Sequence, residues 1–215
     1  MDNNEINSCL MWAVDLETPV DFGSIFDLAD LKDTGIELDS HITLLYAQGK
    51  TIERDSLLDD IKNILNPNDY QNFYELCKEV NQEEVFDFFD LDKFENDSDY
   101  IILKLKKDKE IFKYLRLINK GLRLKYKVSS DFDNYVPHIT IAELQPGTAK
   151  KYIESEDLHK VLECSLFDFE DLFISYGTSN EPEDRKKYFL TQFKNIDRFF
   201  RLEHLKKSNE EILKS

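Results

Sequence analysis

The chain has 215 residues, of which 41% are hydrophobic and 13% aromatic, enough to bury the core of one domain. Its 44 acidic and 28 basic residues give a net charge of −16, which disfavours binding to long duplex nucleic acid and to anionic membranes. No apolar run approaches the ~18 residues of a membrane helix. The first five residues also lack the basic and apolar regions of a signal peptide.

The three cysteines are widely spaced, and the sequence contains no CxxC motif. An odd number at such spacing predicts neither a disulfide framework nor a structural zinc site. Cys9, Cys77 and Cys164 are instead interpreted as small apolar residues in a reducing compartment. We therefore expect a cytoplasmic protein, or one of the host cytoplasm if it is viral, and we expect no membrane partner.

Hydrophobic periodicity predicts an α+β chain with more strand pairs than crossover helices. In chain order, the predicted elements are a strand at 9–15, a weak helix at 24–31, a strand at 39–47, helices at 53–65 and 70–80, strands at 85–94 and 100–105, a helix at 110–124, a loop at 131–137, a strand at 138–144, a helix at 149–162, strands at 165–169, 171–176 and 187–193, and a helix at 195–214. Residues 1–194 are interpreted as one domain and 195–215 as a C-terminal helical extension.

An internal repeat is the strongest signal in the sequence. His41 begins the segment His-Ile-Thr-Leu and His138 begins His-Ile-Thr-Ile, and each has a glutamine seven positions later. Only four histidines occur in the chain, and the other two, His159 and His204, lack this context and fall on predicted helices. Two of the four therefore occupy equivalent positions, which chance explains poorly.

Strand geometry gives this repeat a chemical meaning. Side chains alternate between the two faces of a strand, so His41 and Thr43 share one face, as do His138 and Thr140. Two imidazoles and two hydroxyls in one cleft suit a phosphodiester. One imidazole removes a proton from the attacking oxygen, the other protonates the leaving oxygen, and the hydroxyls hold the non-bridging oxygens. No metal or other cofactor is required, and the sequence leaves open which histidine is the base.

The paired motifs resemble those of the 2H phosphoesterase (LigT-like) superfamily, which includes bacterial 2′-5′ RNA ligase-like proteins and cyclic phosphodiesterases. The resemblance extends over residues 9–193, although only the double motif is specific. It implies a bilobal fold with two pseudo-symmetric antiparallel sheets facing a central cleft and with helices outside. It also implies that His41 and His138 are the catalytic pair and that Thr43 and Thr140 bind phosphate.

Residues 133–140, Asp-Asn-Tyr-Val-Pro-His-Ile-Thr, are similar to the corresponding segment of phage anti-CBASS nucleases, which destroy the cyclic oligonucleotide messengers of bacterial defence. The chain departs from that pattern by its C-terminal helix and by Glu143, where a neutral residue is expected. Tyr135 and Trp12 are candidates to stack on bases, and core packing is an equally good interpretation of Trp12. Strict alternation directs Tyr46 away from the His41 face.

These observations predict a metal-independent phosphodiesterase that cleaves small cyclic oligonucleotides by attack of a ribose 2′-hydroxyl, and so antagonises cyclic-nucleotide immune signalling if it is viral. The alternative enzyme opens 2′,3′-cyclic phosphates at RNA termini or acts on 2′-5′ bonds. A hypothesis of another class is a non-catalytic nucleotide sponge or an adaptor. The basic runs 104–109 and 123–127 are interpreted as solvated faces. The sequence does not decide between monomer and dimer.

Overall fold

The computed structural model describes residues 6–80, 82–129, 135–178 and 186–190. The strands are β1 (Asn7–Glu17), β2 (Leu31–Ile36), β3 (His41–Ala47), β4 (Glu83–Glu84), β5 (Phe89–Glu95), β6 (Asp99–Leu105), β7 (His138–Leu144), β8 (Leu166–Gly177) and β9 (Lys186–Phe189). The helices are α1 (Arg54–Glu79), α2 (Val85–Phe88), α3 (Glu110–Tyr126), α4 (Ala149–Ile153) and α5 (Glu156–Glu163), with a short 3-10 turn at Phe22–Ser24. Strands and helices are mixed along the chain, as the periodicity predicts.

The described strands form one antiparallel sheet in the order β4-β8-β1-β3-β7-β6-β5, with β2 beside β7 and β9 beside β8. Its two halves meet at β3 and β7, which share one bridging pair, Ile42 with Ile139. By contrast, β1 and β8 pair along almost their whole length. The sheet is thus continuous, but only one residue pair joins its two halves. The division into two facing sheets stays a prediction.

The segment 24–31 does not form the predicted helix. The 3-10 turn ends at Ser24, and β2 begins at Leu31 and pairs along β7. In this pairing Leu31 lies opposite Leu144, and Ile36 lies opposite Ala142. Because the strand is defined by a partner more than a hundred residues away, its own short apolar pattern could not identify it.

The predicted helix break at 66–68 is a kink within α1. Asn66 has φ 62°, a left-handed conformation that asparagine tolerates well. Its Oδ1 accepts hydrogen bonds from the backbone N–H groups of Asn68 and Asp69, both at 3.1 Å. Pro67 then occupies a first-turn position, where its missing N–H costs little. The two predicted helices are therefore confirmed as the two halves of α1.

Three further boundaries differ from the sequence pattern. Residues 85–88 form α2 instead of the start of a strand, so that β5 begins at Phe89. The predicted helix 149–162 divides into α4 and α5, because Ser155 caps α5 through a hydrogen bond from the N–H of Leu158. The two strands predicted at 165–176 are one strand, β8, because its pairing with β1 continues across a bulge.

The main core lies between one face of the sheet and helices α1 and α3, and it contains side chains from both halves of the sheet. The two helices approach closely where Gly121 faces Ile64, since a Cβ at Gly121 would lie 2.6 Å from that side chain. Among the residues that the structure describes, every helix is too short or too polar to cross a lipid bilayer. The predicted C-terminal helix, 195–214, and the domain boundary at 194 lie outside the described residues.

Candidate active site

The two motif strands have the alternation that the sequence predicts. In β3, His41 and Thr43 are half-buried, whereas Ile42 is fully buried in the core. In β7, His138 and Thr140 are likewise half-buried on either side of a buried isoleucine. Each strand therefore anchors itself by aliphatic side chains on one face and presents an imidazole and a hydroxyl on the other.

Pairing across the central junction brings the four polar side chains together. Ile42 and Ile139 are the bridging pair, so the histidine and the threonine of each motif flank the point where the two strands meet. Residues that lie opposite one another in adjacent strands project from the same face. His41 also lies close enough to His138 for its charge to lower the pKa of the His138 imidazole. The predicted site residues of the two motifs therefore share one surface.

Both imidazoles are oriented by the same local hydrogen bond. Nδ1 of His41 lies 2.6 Å from the carbonyl oxygen of Asp39, and Nδ1 of His138 lies 2.8 Å from that of Val136. In both cases the acceptor is two residues before the histidine. Because a carbonyl can only accept, Nδ1 carries the proton and donates it, which leaves Nε2 to exchange protons with a ligand.

The surroundings of His138 favour its neutral form. Burial lowers the pKa of its imidazole, the hydrogen bond to the carbonyl of Val136 partly opposes this, and the charge of His41 lowers the pKa further. The ring of Phe94 stands perpendicular to the imidazole at 4.9 Å between centroids and covers it from one side. A neutral imidazole with a free Nε2 lone pair is the form that a general base requires.

A lysine lies near each histidine. Lys104 is opposite His138 in the pairing of β6 with β7, on the same face, and forms an ion pair with Asp92. Lys187 forms an ion pair with Asp39, the residue whose carbonyl orients His41. Neither lysine could be identified from the sequence, because only strand pairing brings them to the motifs. Lys104 belongs to a run that was interpreted as solvated.

A β-bulge follows the threonine in both motif strands. In β3, Thr43 and Leu45 lie opposite consecutive residues of β1, so the residue between them is extra. In β7, Thr140 and Ala142 lie opposite consecutive residues of β6 in the same way. An extra residue reverses the faces of all later side chains. The two motifs therefore share an irregularity as well as a sequence.

The bulges bring two further side chains to the histidine face. Tyr46 lies opposite Cys9, which shares its face of β1 with the partner of Thr43, and Tyr46 is 37% exposed. The interpretation that Tyr46 points away from His41 was therefore wrong, because it assumed an uninterrupted strand. Glu143, the departure in the second motif, occupies the matching position and accepts hydrogen bonds from Ser98 (2.6 Å) and Tyr100 (3.1 Å).

Trp12 lies in the core instead of the site. It is 0% exposed, lies opposite Ile42 on the core face, and stacks on Phe169 at 4.2 Å between ring centroids. Its Nε1 donates a hydrogen bond of 2.7 Å to the carbonyl oxygen of Glu170, so its polar group is satisfied internally. A ligand in the cleft cannot reach this ring. Trp12 is therefore corrected from a candidate base contact to a packing residue.

Tyr135 contacts the first motif from the entrance of the second. The side chain is half-buried, and its hydroxyl donates a hydrogen bond of 3.0 Å to the carbonyl oxygen of Thr43. Burial raises the pKa of this hydroxyl, which keeps it protonated as a donor. Asn119, which the sequence analysis missed, donates to the next carbonyl, that of Leu44, at 2.7 Å. The two side chains thus satisfy the carbonyls of the β3 bulge, and contact of Tyr135 with a base stays a prediction.

Metal ligands are not grouped in the described part of the chain, where no cluster of three or more His, Cys, Asp or Glu side chains could hold an ion. Cys9 and Cys77 are buried and Cys164 is exposed, and none of these three forms a disulfide. Burial raises the pKa of the Cys77 thiol well above its ordinary value, as expected for a packing residue.

Comparison with protein-family models gives no match, and no curated protein matches this chain. Five chains of solved structures match it, and one of them is described as "Crystal structure of phosphoesterase". That chain is 14% identical, the alignment covers 86% of this chain and 99% of that one, and the TM-score is 0.37. A likeness at this level carries no argument about activity, which has to come from the geometry of the two motifs.

Proposed function

We propose that the protein is a metal-independent phosphodiesterase of the 2H type in which His41 and His138 act as an acid–base pair. One observation carries the proposal: two motifs nearly a hundred residues apart share their alternation, their Nδ1–carbonyl hydrogen bond and their bulge, and they meet at one junction. Each half of the chain supplies one imidazole. This arrangement supports the bilobal, pseudo-symmetric architecture and a function that uses both motifs at once.

The reaction that fits this pair transfers the phosphoryl group of a phosphodiester from the 5′-oxygen to the neighbouring ribose 2′-hydroxyl. His138, whose pKa is lowered, takes the proton of the 2′-hydroxyl on Nε2, and the 2′-oxygen forms a bond to phosphorus. The bond from phosphorus to the 5′-oxygen breaks, and His41 gives its Nε2 proton to that oxygen. The products are a 2′,3′-cyclic phosphate and a free 5′-hydroxyl. His138 has gained the proton of the 2′-hydroxyl, and His41 has lost one to the 5′-oxygen.

The threonine hydroxyls complete the site. Thr43 and Thr140 project from the same face as the histidines and can donate hydrogen bonds to the non-bridging oxygens. Charge on these oxygens rises in the transition state, so donors that are already oriented stabilise it most. Tyr46, which the bulge brings to this face, is suited to stack on a base of the ligand.

A small cyclic oligonucleotide is the substrate that we propose. The net charge of −16 opposes a long polyanion, whereas a small ligand needs only a local site. The protein would then remove cyclic-nucleotide signals, which is the activity of the phage nucleases that the second motif resembles. The alternative reaction, opening of 2′,3′-cyclic phosphates on RNA, would use the same two imidazoles. Only the substrate that is cleaved distinguishes the two reactions.

The test is incubation of the full chain with a panel of cyclic di- and trinucleotides and with RNA ending in a 2′,3′-cyclic phosphate, in excess EDTA. The products are followed by liquid chromatography and mass spectrometry before and after mild acid, which opens a 2′,3′-cyclic phosphate and adds the mass of one water. We expect linear products with 2′,3′-cyclic phosphate ends from cyclic substrates, and none from the His41→Ala/His138→Ala double variant. Retained ligand that elutes as the intact cyclic substrate and gains no water in acid would indicate a sponge. Activity that EDTA abolishes and a divalent ion restores would contradict the two-histidine mechanism.

A further inference from the structure

Lys104 projects from the histidine face, the face of the sheet that carries the imidazoles and hydroxyls of the two motifs. It lies directly opposite His138 in the pairing of β6 with β7, and Ile102, two residues earlier, lies opposite Thr140. Side chains opposite one another in neighbouring strands share a face, with Cβ atoms about 4.5–5.5 Å apart. The bulge of β7 comes after Thr140, so the pairing between these four residues is regular. Lys104 is therefore a neighbour of His138 on the histidine face.

A carboxylate of β5 holds the ammonium of Lys104 in place. Asp92 lies opposite Ile102 in the pairing of β5 with β6, so it projects from the histidine face as well, and its Oδ2 accepts a hydrogen bond from Nζ of Lys104. Its Oδ1 accepts a hydrogen bond of 2.9 Å from the backbone N–H of Lys93, which fixes the carboxylate. An ammonium has three N–H donors. Among the described residues, Nζ of Lys104 donates to Asp92 alone, so two donors can serve a ligand.

The ion pair and the imidazole border the same part of the histidine face. Phe94 follows Asp92 by two residues in β5, so the two side chains share a face. The ring of Phe94 reaches across β6, which lies between β5 and β7, and stands against the imidazole of His138 at 4.9 Å between centroids. The side chains of three neighbouring strands therefore converge beside His138, and the ammonium of Lys104 belongs to this group.

Stability alone does not account for the ion pair. The side chains of Lys104 and Asp92 are 33% and 40% exposed, and ion pairs with such access to water contribute little to the free energy of unfolding. A cation beside a reacting phosphate has a larger effect, because the negative charge on the phosphoryl oxygens rises in the transition state. The two imidazoles exchange their protons during the proposed reaction, whereas the charge of Lys104 takes no part in that exchange. Lys104 would thus supply a constant positive charge.

We propose that the ammonium of Lys104 binds a non-bridging oxygen of the scissile phosphodiester and that Asp92 positions the ammonium for this contact. The proposal rests on the proposed function and adds a charged residue to its site. The phosphodiester lies between the two imidazoles, with one non-bridging oxygen towards β6. Lys104 keeps its hydrogen bond to Asp92 and donates a second one to the phosphate, so that no existing contact is broken. Charge-assisted hydrogen bonds of this kind are stronger than neutral ones.

The kinetic test compares Lys104→Met with the wild type in the cleavage of a cyclic dinucleotide. We expect kcat/KM to fall by about 10- to 100-fold, the range for loss of a hydrogen bond to a charged group. Both limbs of the pH–rate profile should stay in place, because the histidines still transfer the protons. Lys104→Arg keeps the positive charge and should recover part of the rate. An unchanged kcat/KM in Lys104→Met would overturn the proposal.

The matched control is Lys93→Met. The side chain of Lys93 is 27% exposed, close to the value for Lys104, and it forms an ion pair with Glu95. It lies opposite Ile101, which is buried in the core, so it projects from the other face of the sheet. Lys93→Met therefore removes one charge and one ion pair away from the histidines, and kcat/KM should be retained. An equal fall in both variants would indicate a general effect of charge and would contradict the proposal.

A double-mutant cycle tests the positioning role of Asp92. If Asp92 acts only through Lys104, Asp92→Ala should lower kcat/KM in the wild type but cause no further loss in the Lys104→Met background. Additive losses would mean that Asp92 does not act by positioning the ammonium.

A binding measurement separates failure of this proposal from failure of the proposed function. The probes are two labelled dinucleotides with 2′-O-methyl riboses, which lack the attacking hydroxyl; one has a phosphodiester and the other a neutral methylphosphonate. By fluorescence anisotropy, we expect the wild type to prefer the phosphodiester and Lys104→Met to lose about tenfold in affinity for that probe alone. This result supports the phosphate contact even if the wild type cleaves nothing. Equal loss for both probes, or no preference in the wild type, would overturn it.

Discussion

The two motif strands, β3 and β7, have the same local design in different surroundings. In each, the imidazole donates through Nδ1 to the carbonyl two residues earlier, and a bulge follows the threonine. They differ in the environment of the histidine: His138 lies under Phe94 and has a lowered pKa, whereas His41 lies beside an ion pair between Asp39 and Lys187. Identical residues can therefore take complementary roles, because burial and neighbouring charge set the role.

The bulges are also supported differently. In β3, the carbonyls of Thr43 and Leu44 accept hydrogen bonds from side chains, those of Tyr135 and Asn119. In β7, the carbonyl of Ile141 accepts from a backbone N–H just after β2. The first motif thus depends on two replaceable side chains, whereas the second depends on strand pairing. Point substitutions should therefore disturb the first motif more easily.

The largest expected effect tests the equivalence of the motifs. His41→Ala and His138→Ala should each lower kcat/KM by ~10²–10⁴-fold, as for loss of a general acid or base. The thermal midpoint should change little, because neither side chain is in the core. His159→Ala, whose imidazole bonds to the carbonyl of Ile153 away from the motifs, should keep the rate. Near-normal turnover in either motif variant would contradict the equivalence of the two motifs.

A smaller effect is expected from the hydroxyls. Thr43→Val and Thr140→Val preserve shape and remove one donor each, so kcat should fall by about 10²-fold with little change in KM. The pH–rate profile should stay bell-shaped, since neither hydroxyl titrates in this range. Steady-state kinetics across pH 5–9 measure both quantities. Thr18→Val, at a threonine outside the site whose hydroxyl donates to the carbonyl of Val20, is the control. Equal rates in all three variants would contradict the role of the hydroxyls.

Tyr135→Phe tests the unequal support of the bulges. The carbonyl of Thr43 would lose its donor, at a cost of about 1–3 kcal/mol in the free energy of unfolding. Urea denaturation measures this change. In Tyr188→Phe, at a partly exposed ring, we expect no comparable loss. If both variants unfolded at the same urea concentration as the wild type, the hydroxyl of Tyr135 would not support the motif.

The smallest effect concerns the protonation of His138. Because its pKa in the folded protein lies below the ordinary value of about 6.5, the acidic limb of kcat/KM should also lie below that value. Within the same window the unfolded chain binds more protons than the folded one. The free energy of unfolding should therefore fall as the pH is lowered from about 6.5, by about 1.4 kcal/mol per unit of pKa difference.

Phe94→Ala sharpens this test, since it would admit water to the imidazole of His138 and raise its pKa towards the ordinary value. The acidic limb should then move to higher pH. Phe189→Ala, which removes an exposed ring that packs on Phe173, serves as the matched control and should leave the limb in place. A limb that moves equally in both variants would mean that the ring over His138 does not set its pKa.

The sequence by itself identified the two motif strands and the side chains that share a face in each. The repeated His-x-Thr pattern placed His41 and Thr43 on one face of their strand, and His138 and Thr140 on one face of theirs. This was possible because the alternation of side chains along a strand depends only on neighbouring residues. The stripe of α3 and both halves of α1 were also readable, since their apolar residues recur at helical spacing. The segment 24–31 was misread, and the two interpretations of Trp12 could not be separated, for the opposite reason, as both depend on distant partners.

Only the tertiary structure decided how these elements meet. The bridging pair of Ile42 with Ile139, the bulges that turn Tyr46 and Glu143 to the histidine face, and the burial that lowers the pKa of His138 all depend on contacts between segments far apart in the chain. A bulge adds one residue, so strict alternation assigns every later side chain of the strand to the wrong face. Burial and neighbouring charge exist only after folding, and they differentiate two histidines that the sequence makes identical.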